Sequence, residues 1–194
     1  MKKSISFLAI IFIAVLSFNI SAQSSNLFGA WYGTTTPVQN DGMKGSMVPI
    51  MNINADNTGT FGFEEKLKGS MGNGVTVEVT ISFSAPTIWS FDGSNIHFQI
   101  DNYNSTITVP RNKVKFTGTN TQLIKTLNRD KDELIEILKH DFIDTSMLPN
   151  EAYWENLTVT NNTLTFYEDG QKITFKKKAA SSSKSSSKKS SKRR

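Results

Sequence analysis

The chain has 194 residues with 22 Lys+Arg, 17 Asp+Glu and no cysteine. That length suits one domain, and the missing cysteine excludes a disulfide-stapled fold, Cys-ligated zinc or iron–sulfur centres, thiol catalysis and a lipid-modified N-terminal Cys. The charge is segregated: residues 23–175 carry 11 basic and 17 acidic side chains, a net charge of −6, whereas residues 176–194 carry nine basic side chains and no acid.

The first element is a leader. Met1-Lys2-Lys3 is a short basic start, the run from Ile5 to Phe18 is almost wholly apolar, and Ile20-Ser21-Ala22 offers a small residue before polar Gln23. This is the pattern of a secretory signal peptide over residues 1–22; a spanning helix needs about 20 apolar residues. The expectation is an exported protein, periplasmic or extracellular, with one domain over residues 23–175.

Strands follow. Val75, Val77, Val79, Ile81 and Phe83 alternate with Thr76, Glu78, Thr80 and Ser82, and the same period of two places Phe61, Phe63 and Leu67, then Ile96, Phe98 and Ile100, on one face each. Such alternation predicts half-buried strands. Turn chemistry separates them at 55–59, 69–74, 92–95, 161–162 and 168–170, so the connections are hairpins and the sheet is antiparallel. Two capping-box patterns, Thr119 with Gln122 and Asp130 with Glu133, predict two amphipathic helices. In the second, Leu134, Ile135, Leu138 and Phe142 share a face opposite Glu133, Glu136 and His140, with Leu148-Pro149 as the stop. Strands resume over 153–160, 163–167 and 172–175. The sum is a mainly β chain of roughly eight to ten short antiparallel strands, a barrel or sandwich, with a helical insert. From Lys176 onward the composition holds nothing large and apolar to bury, which predicts a disordered basic tail over 176–194.

Three motifs carry a resemblance. Gly29-Ala30-Trp31 matches a G-x-W opening, Asn54-Ala55-Asp56-Asn57-Thr58-Gly59 resembles an N-x-D-G-T hairpin turn, and Trp89-Ser90-Phe91-Asp92-Gly93-Ser94-Asn95-Ile96 resembles a W-s-x-D-G-n-x-L hairpin. In this order they resemble the bacterial, Bacteroidetes-type, secreted lipocalin-like β-barrel domains over about the first half of the mature chain. The resemblance implies a calyx-type barrel that holds a small apolar or amphipathic ligand, and it implies no catalytic residues. The chain departs from the pattern at Asn57, where the motif has Gly, in the helical insert over 119–147, and in having no Arg in its last strands to cover the Trp31 ring.

An eight-stranded barrel is either filled by its own side chains or hollow enough for one ligand. The interior candidates are Trp31, Phe61, Phe63, Glu65, Trp89 and Phe98, and they serve either as the lining of a ligand site or as a packed core. Glu65 falls in phase with Phe61, Phe63 and Leu67; it is either an inward carboxylate near the barrel mouth that orients a polar head group, or a strand-end residue in water. Met43, Met47, Met51 and Met71 cluster around the first connections and suit an adaptable apolar surface. His97 alternates outward, and Glu136 with His140 gives two ligands where catalytic zinc needs three. No nucleophile elbow, phosphate loop or paired-carboxylate motif is present. The expectation is therefore a non-enzyme with no metal and no cofactor.

The tail residues Lys176, Lys177, Lys178, Lys184, Lys188, Lys189, Lys192, Arg193 and Arg194 form a polycation suited to an anionic envelope surface. With no aromatic to stack on bases, they do not suggest sequence-specific nucleic-acid binding. Two functions stay open: a ligand-binding lipocalin-like protein, or a filled interaction module that binds protein or glycan through its outer face.

Overall fold

In a computed structural model, the structure describes residues 26–40, 42–143 and 148–177, with the backbone alone at 40 and 141–143. The expected leader over 1–22 and the tail residues from Lys178 onward lie outside the described residues.

The strands are β1 (Gly29–Tyr32), β2 (Thr36–Asn40), β3 (Met43–Ile53), β4 (Thr58–Gly72), β5 (Val75–Phe91), β6 (Ile96–Ile100), β7 (Thr106–Thr108) and β8 (Lys115–Gly118). Two helices follow, α1 (Thr121–Arg129) and α2 (Lys131–Ile143), and then β9 (Glu151–Val159), β10 (Thr163–Glu168) and β11 (Gln171–Lys177). All pairings are antiparallel, and eight strands close on themselves in the circuit β1–β3–β4–β5–β6–β9–β10–β11 and back to β1. The expected antiparallel barrel with a helical insert is therefore the fold. The short β1 makes the closure, pairing Trp31 with Met51 on one side and with Lys177 on the other.

Period-two patterning explains the walls. Along β5 the side chains of Val75, Val77, Val79, Ile81, Phe83, Ala85 and Trp89 are all buried, while Glu78, Pro86 and Ile88 on the other face are exposed. Residues i, i+2 and i+4 line one face of a strand, so this run defines the inner wall. Register carries the same face across its neighbours: Met47, Glu65 and Ile81 form one row, Pro49, Phe63 and Phe83 the next, and Met51, Phe61 and Ala85 the third. Gly62 permits the wall to curve, because a Cβ there would run into the Phe83 carbonyl.

β3, β4 and β5 are longer than the circuit requires. Their far halves project as a sheet whose edges are joined by β2 on β3 and by β7 and β8 on β5. The β4–β5 hairpin is tighter than the sequence reading placed it. β4 continues to Gly72, and the loop is Asn73-Gly74 alone, with φ of 49° and 72° as a type I′ turn demands.

Three expectations are corrected here. Helix α1 is capped by Asn120, whose side chain accepts from the Leu123 N–H, rather than by Thr119. The Asp130 carboxylate does not serve as the acceptor of a capping box; it is gripped by Arg129 at 2.7 and 3.0 Å. Lys176 and Lys177, expected in the tail, are the last residues of β11, because Lys177 completes the barrel seam as described below.

Candidate functional site

The centre of the closed barrel is filled with aromatic rings. Trp154, 1% exposed, stacks on Phe166 with centroids 3.7 Å apart and planes 9° apart, and meets Phe98 edge-on at 4.8 Å and Phe61 edge-on at 5.9 Å. Phe175 leans on both members of the stack at 5.8 and 5.7 Å. At one end of the barrel Trp89 packs against Phe28 and donates from Nε1 to the Thr58 carbonyl at 3.0 Å. Trp31 is fully buried and donates to the Leu27 carbonyl at 2.7 Å. Phe63 stacks on Phe83 at 5.4 Å. Of the six interior candidates, the structure thus joins Phe61 and Phe98 in one cluster around Trp154, sets Trp89 at one end, encloses Trp31 at the seam and places Phe63 toward the sheet extension.

The Trp31 ring is covered, although no arginine is available to do it. Lys177 Nζ lies 4.8 Å from the ring centroid and donates to the Asn26 carbonyl at 3.1 Å. A cation over the face of an indole is attracted by the ring quadrupole, so this lysine ties the last strand to the first and to the segment preceding it. Lys176 pairs with Tyr32 on the outer wall. The remaining tail candidates, Lys178, Lys184, Lys188, Lys189, Lys192, Arg193 and Arg194, lie outside the described residues.

Beyond the aromatic plug, the inner wall of the sheet extension is covered by α2. Leu134 and Leu138 face Val77 and Val79 across a cavity of about 200 Å³ that is also lined by Met43, Ser70 and Met71. The lining is almost wholly aliphatic or thioether. Met71, which lines the cavity, is exposed, so the cavity opens toward solvent past a flexible thioether.

Glu65 lies on this same wall. Its flanking inward residue Leu67 pairs with Val79, and Glu65 itself pairs with Met47 and Ile81. It is 6% exposed, so it is not a strand-end residue in water. Burial pushes its carboxyl above the ordinary glutamate range, because an apolar wall disfavours the charged form.

Larger grooves also lie on the outer face among the described residues. One, of about 410 Å³, crosses β4, β5 and β6 between Thr58, Pro86, Ile88, Gln99 and Asp101; the other, of about 360 Å³, lies over Tyr32, Val48 and Ile50 between Glu64 and the last two lysines of β11, Lys176 and Lys177. Ile88 is 62% exposed in the first. Nearby, His97 lies 3.5 Å from Glu151 and beside the Tyr153 ring. The aspartates at the turns are engaged locally: the Thr58 hydroxyl and N–H hold Asp56 below the usual carboxylate range, and the N–H groups of Ser94 and Asn95 do the same for Asp92. Glu136 pairs with Lys139 at 2.7 Å rather than with His140, and no group of three or more metal-ligating side chains occurs among the described residues.

Trp154, Phe166 and Phe175 escaped the sequence reading. Ala152 and Trp154 alternate cleanly, but Asn156 adopts φ of 52° and the inward phase jumps to Leu157, so the period of two breaks within the strand. An extra residue that shifts phase is the signature of a bulge, and the usable signal was an Asn inside an otherwise alternating run. No protein-family model matches the sequence, and no curated protein matches it significantly.

Proposed function

We propose that the protein is an exported, lipocalin-like binding protein that takes a small amphipathic ligand at the helix-covered end of the barrel rather than at its centre. The observation that carries this reading is the apolar cavity between α2 and the inner wall, with the buried Glu65 carboxylate one row further along that wall. Specific ligand sites combine an apolar lining with a few placed polar groups, and these two features supply that combination. No residue is assigned a bond-breaking role, so the reading is of a binder and not a catalyst. The basic segment beyond the barrel then holds the protein against anionic envelope material, with Lys177 kept in the seam.

Thermal unfolding with octan-1-ol tests the site. A ligand at 100 times its Kd adds about 2.7 kcal/mol, and at about 2–4 °C per kcal/mol for a domain of this size the melting temperature rises by roughly 5–11 °C. Val79→Phe, which fills the cavity, abolishes that rise if the site is where the reading puts it. An equal rise in both proteins contradicts it.

A second reading has its own support. The filled centre and the 410 Å³ outer groove beside exposed Ile88 suit a module that docks a glycan or protein on its outer wall. Binding lost in Ile88→Asp and kept in Val79→Phe would select it.

A further inference from the structure

Among the described residues, Glu65 is the buried carboxylate of the barrel wall. Glu65 is 6% exposed, its cross-strand partners Met47 and Ile81 and its inward neighbours Phe63 and Leu67 carry no charge, and among the described residues no hydrogen bond or ion pair reaches it. Lys66 and Lys68 alternate to the opposite face and are exposed, with Lys66 bound to Glu64 at 3.4 Å. A charge set in an apolar wall without a partner is disfavoured, so an acid at this position is a poor choice for packing alone. A residue that only filled the row would be a Leu or a Met.

We infer that Glu65 is the counter-ion for a ligand ammonium group, so that the ligand is a linear aliphatic amine whose chain lies in the cavity against Val77, Val79, Leu134 and Leu138. This rests on the ligand-binding reading above and names the chemical class. The cavity of about 200 Å³ takes a short aliphatic chain. The Glu65 row lies two residues, about 7 Å, along the strand from the Val79 row, which a chain of about eight carbons spans.

Three head groups can be compared. A carboxylate or phosphate is repelled by Glu65 and by a domain whose net charge is −6. A hydroxyl bonds the carboxyl but leaves its charge uncompensated when ionised. An ammonium forms a charge-assisted hydrogen bond of the stronger kind and removes the penalty that holds this carboxyl above its ordinary range. Amine binding therefore displaces a proton from any fraction of the protein in which Glu65 is protonated.

The test is isothermal titration of the full chain with octylamine, octan-1-ol and octanoate at pH 7.5, for the wild type, Glu65→Gln and Val79→Phe. A hydrogen bond to a charged group contributes about 1.5–3 kcal/mol, or tenfold and more in affinity. The expected result is octylamine at least about tenfold tighter than octan-1-ol in the wild type, octanoate weakest, and the amine preference erased in Glu65→Gln while octan-1-ol still binds. That retained alcohol binding shows the variant is folded. Equal affinity for amine and alcohol in the wild type, or an amine preference that survives Glu65→Gln, overturns the amine assignment and leaves the cavity standing. Absence of binding by all three ligands overturns the site itself, and amine binding that survives Val79→Phe overturns the placement of the chain.

Discussion

Replacing Trp154 with alanine removes the ring at the centre of the barrel, where it is 1% exposed and in contact with Phe61, Phe98, Phe166 and Phe175. An aromatic side chain of this kind buries about 150–250 Å², which at about 25 cal/mol/Å² corresponds to roughly 4–6 kcal/mol. Measured truncations of buried aromatics cost about 3–5 kcal/mol, and a closed, hydrogen-bonded wall has little freedom to collapse onto the void. At about 2–4 °C per kcal/mol the melting temperature should fall by roughly 6–20 °C. Circular dichroism of the thermal transition measures it, with Trp154→Phe as the control that keeps a ring on Phe166 and should lose clearly less. A shift of Trp154→Ala within about 2 °C of the wild type, or equal losses in the two variants, would refute the filled-centre account.

Three further outcomes follow from the same geometry. Lys177→Ala should cost about 0.5–2 kcal/mol in chemical unfolding through loss of the cation over Trp31, while Lys177→Arg should be close to neutral; equal losses would show that the ammonium contributes nothing at the seam. Glu65 has a folded-state pKa raised above its unfolded value, so the native state holds this proton more tightly. Its favourable contribution is fully present below the unfolded value and is lost as pH rises through the folded value. Glu65→Gln should therefore melt higher than the wild type at pH 8 and alike at pH 4, and a difference independent of pH would contradict the assignment. The basic segment should bind heparin with log K falling against log salt at a slope of about −5 to −6, since only the seven cations from Lys178 onward stay clear of β11. A flat salt dependence would remove the electrostatic role.

Much of the barrel was legible because its signals are local. The alternation from Val75 to Phe83 specifies an inner and an outer face without reference to any other strand, whereas the turn before it was read only as lying within 69–74 and the structure narrows it to Asn73-Gly74. Glu65 was legible only in part, since its phase puts it on the side of Phe61 and Phe63 but left open whether it lay inward or in water at a strand end, and only its burial in the folded wall distinguishes the two. What stayed hidden depends on distant parts of the chain. Trp154 takes its place opposite Ile96 of β6, and the bulge at Asn156 then shifts the inward set of β9 to Leu157. Lys177 reads as the edge of a basic tail until β11 meets β1, after which its ammonium has a ring and a carbonyl to cover. The cavity under α2 arises from strands that outrun the barrel and a helix that folds back on them, an arrangement set by register and not by periodicity.

The most direct test of the binding account is native mass spectrometry of the full chain purified without detergent, before and after denaturation. A small molecule released on unfolding, present on the wild type and absent from Val79→Phe, is the result expected for a site against the inner wall beneath α2. A bare polypeptide mass from both proteins, unchanged after incubation with octylamine or octan-1-ol, would contradict it and move the function to the outer face.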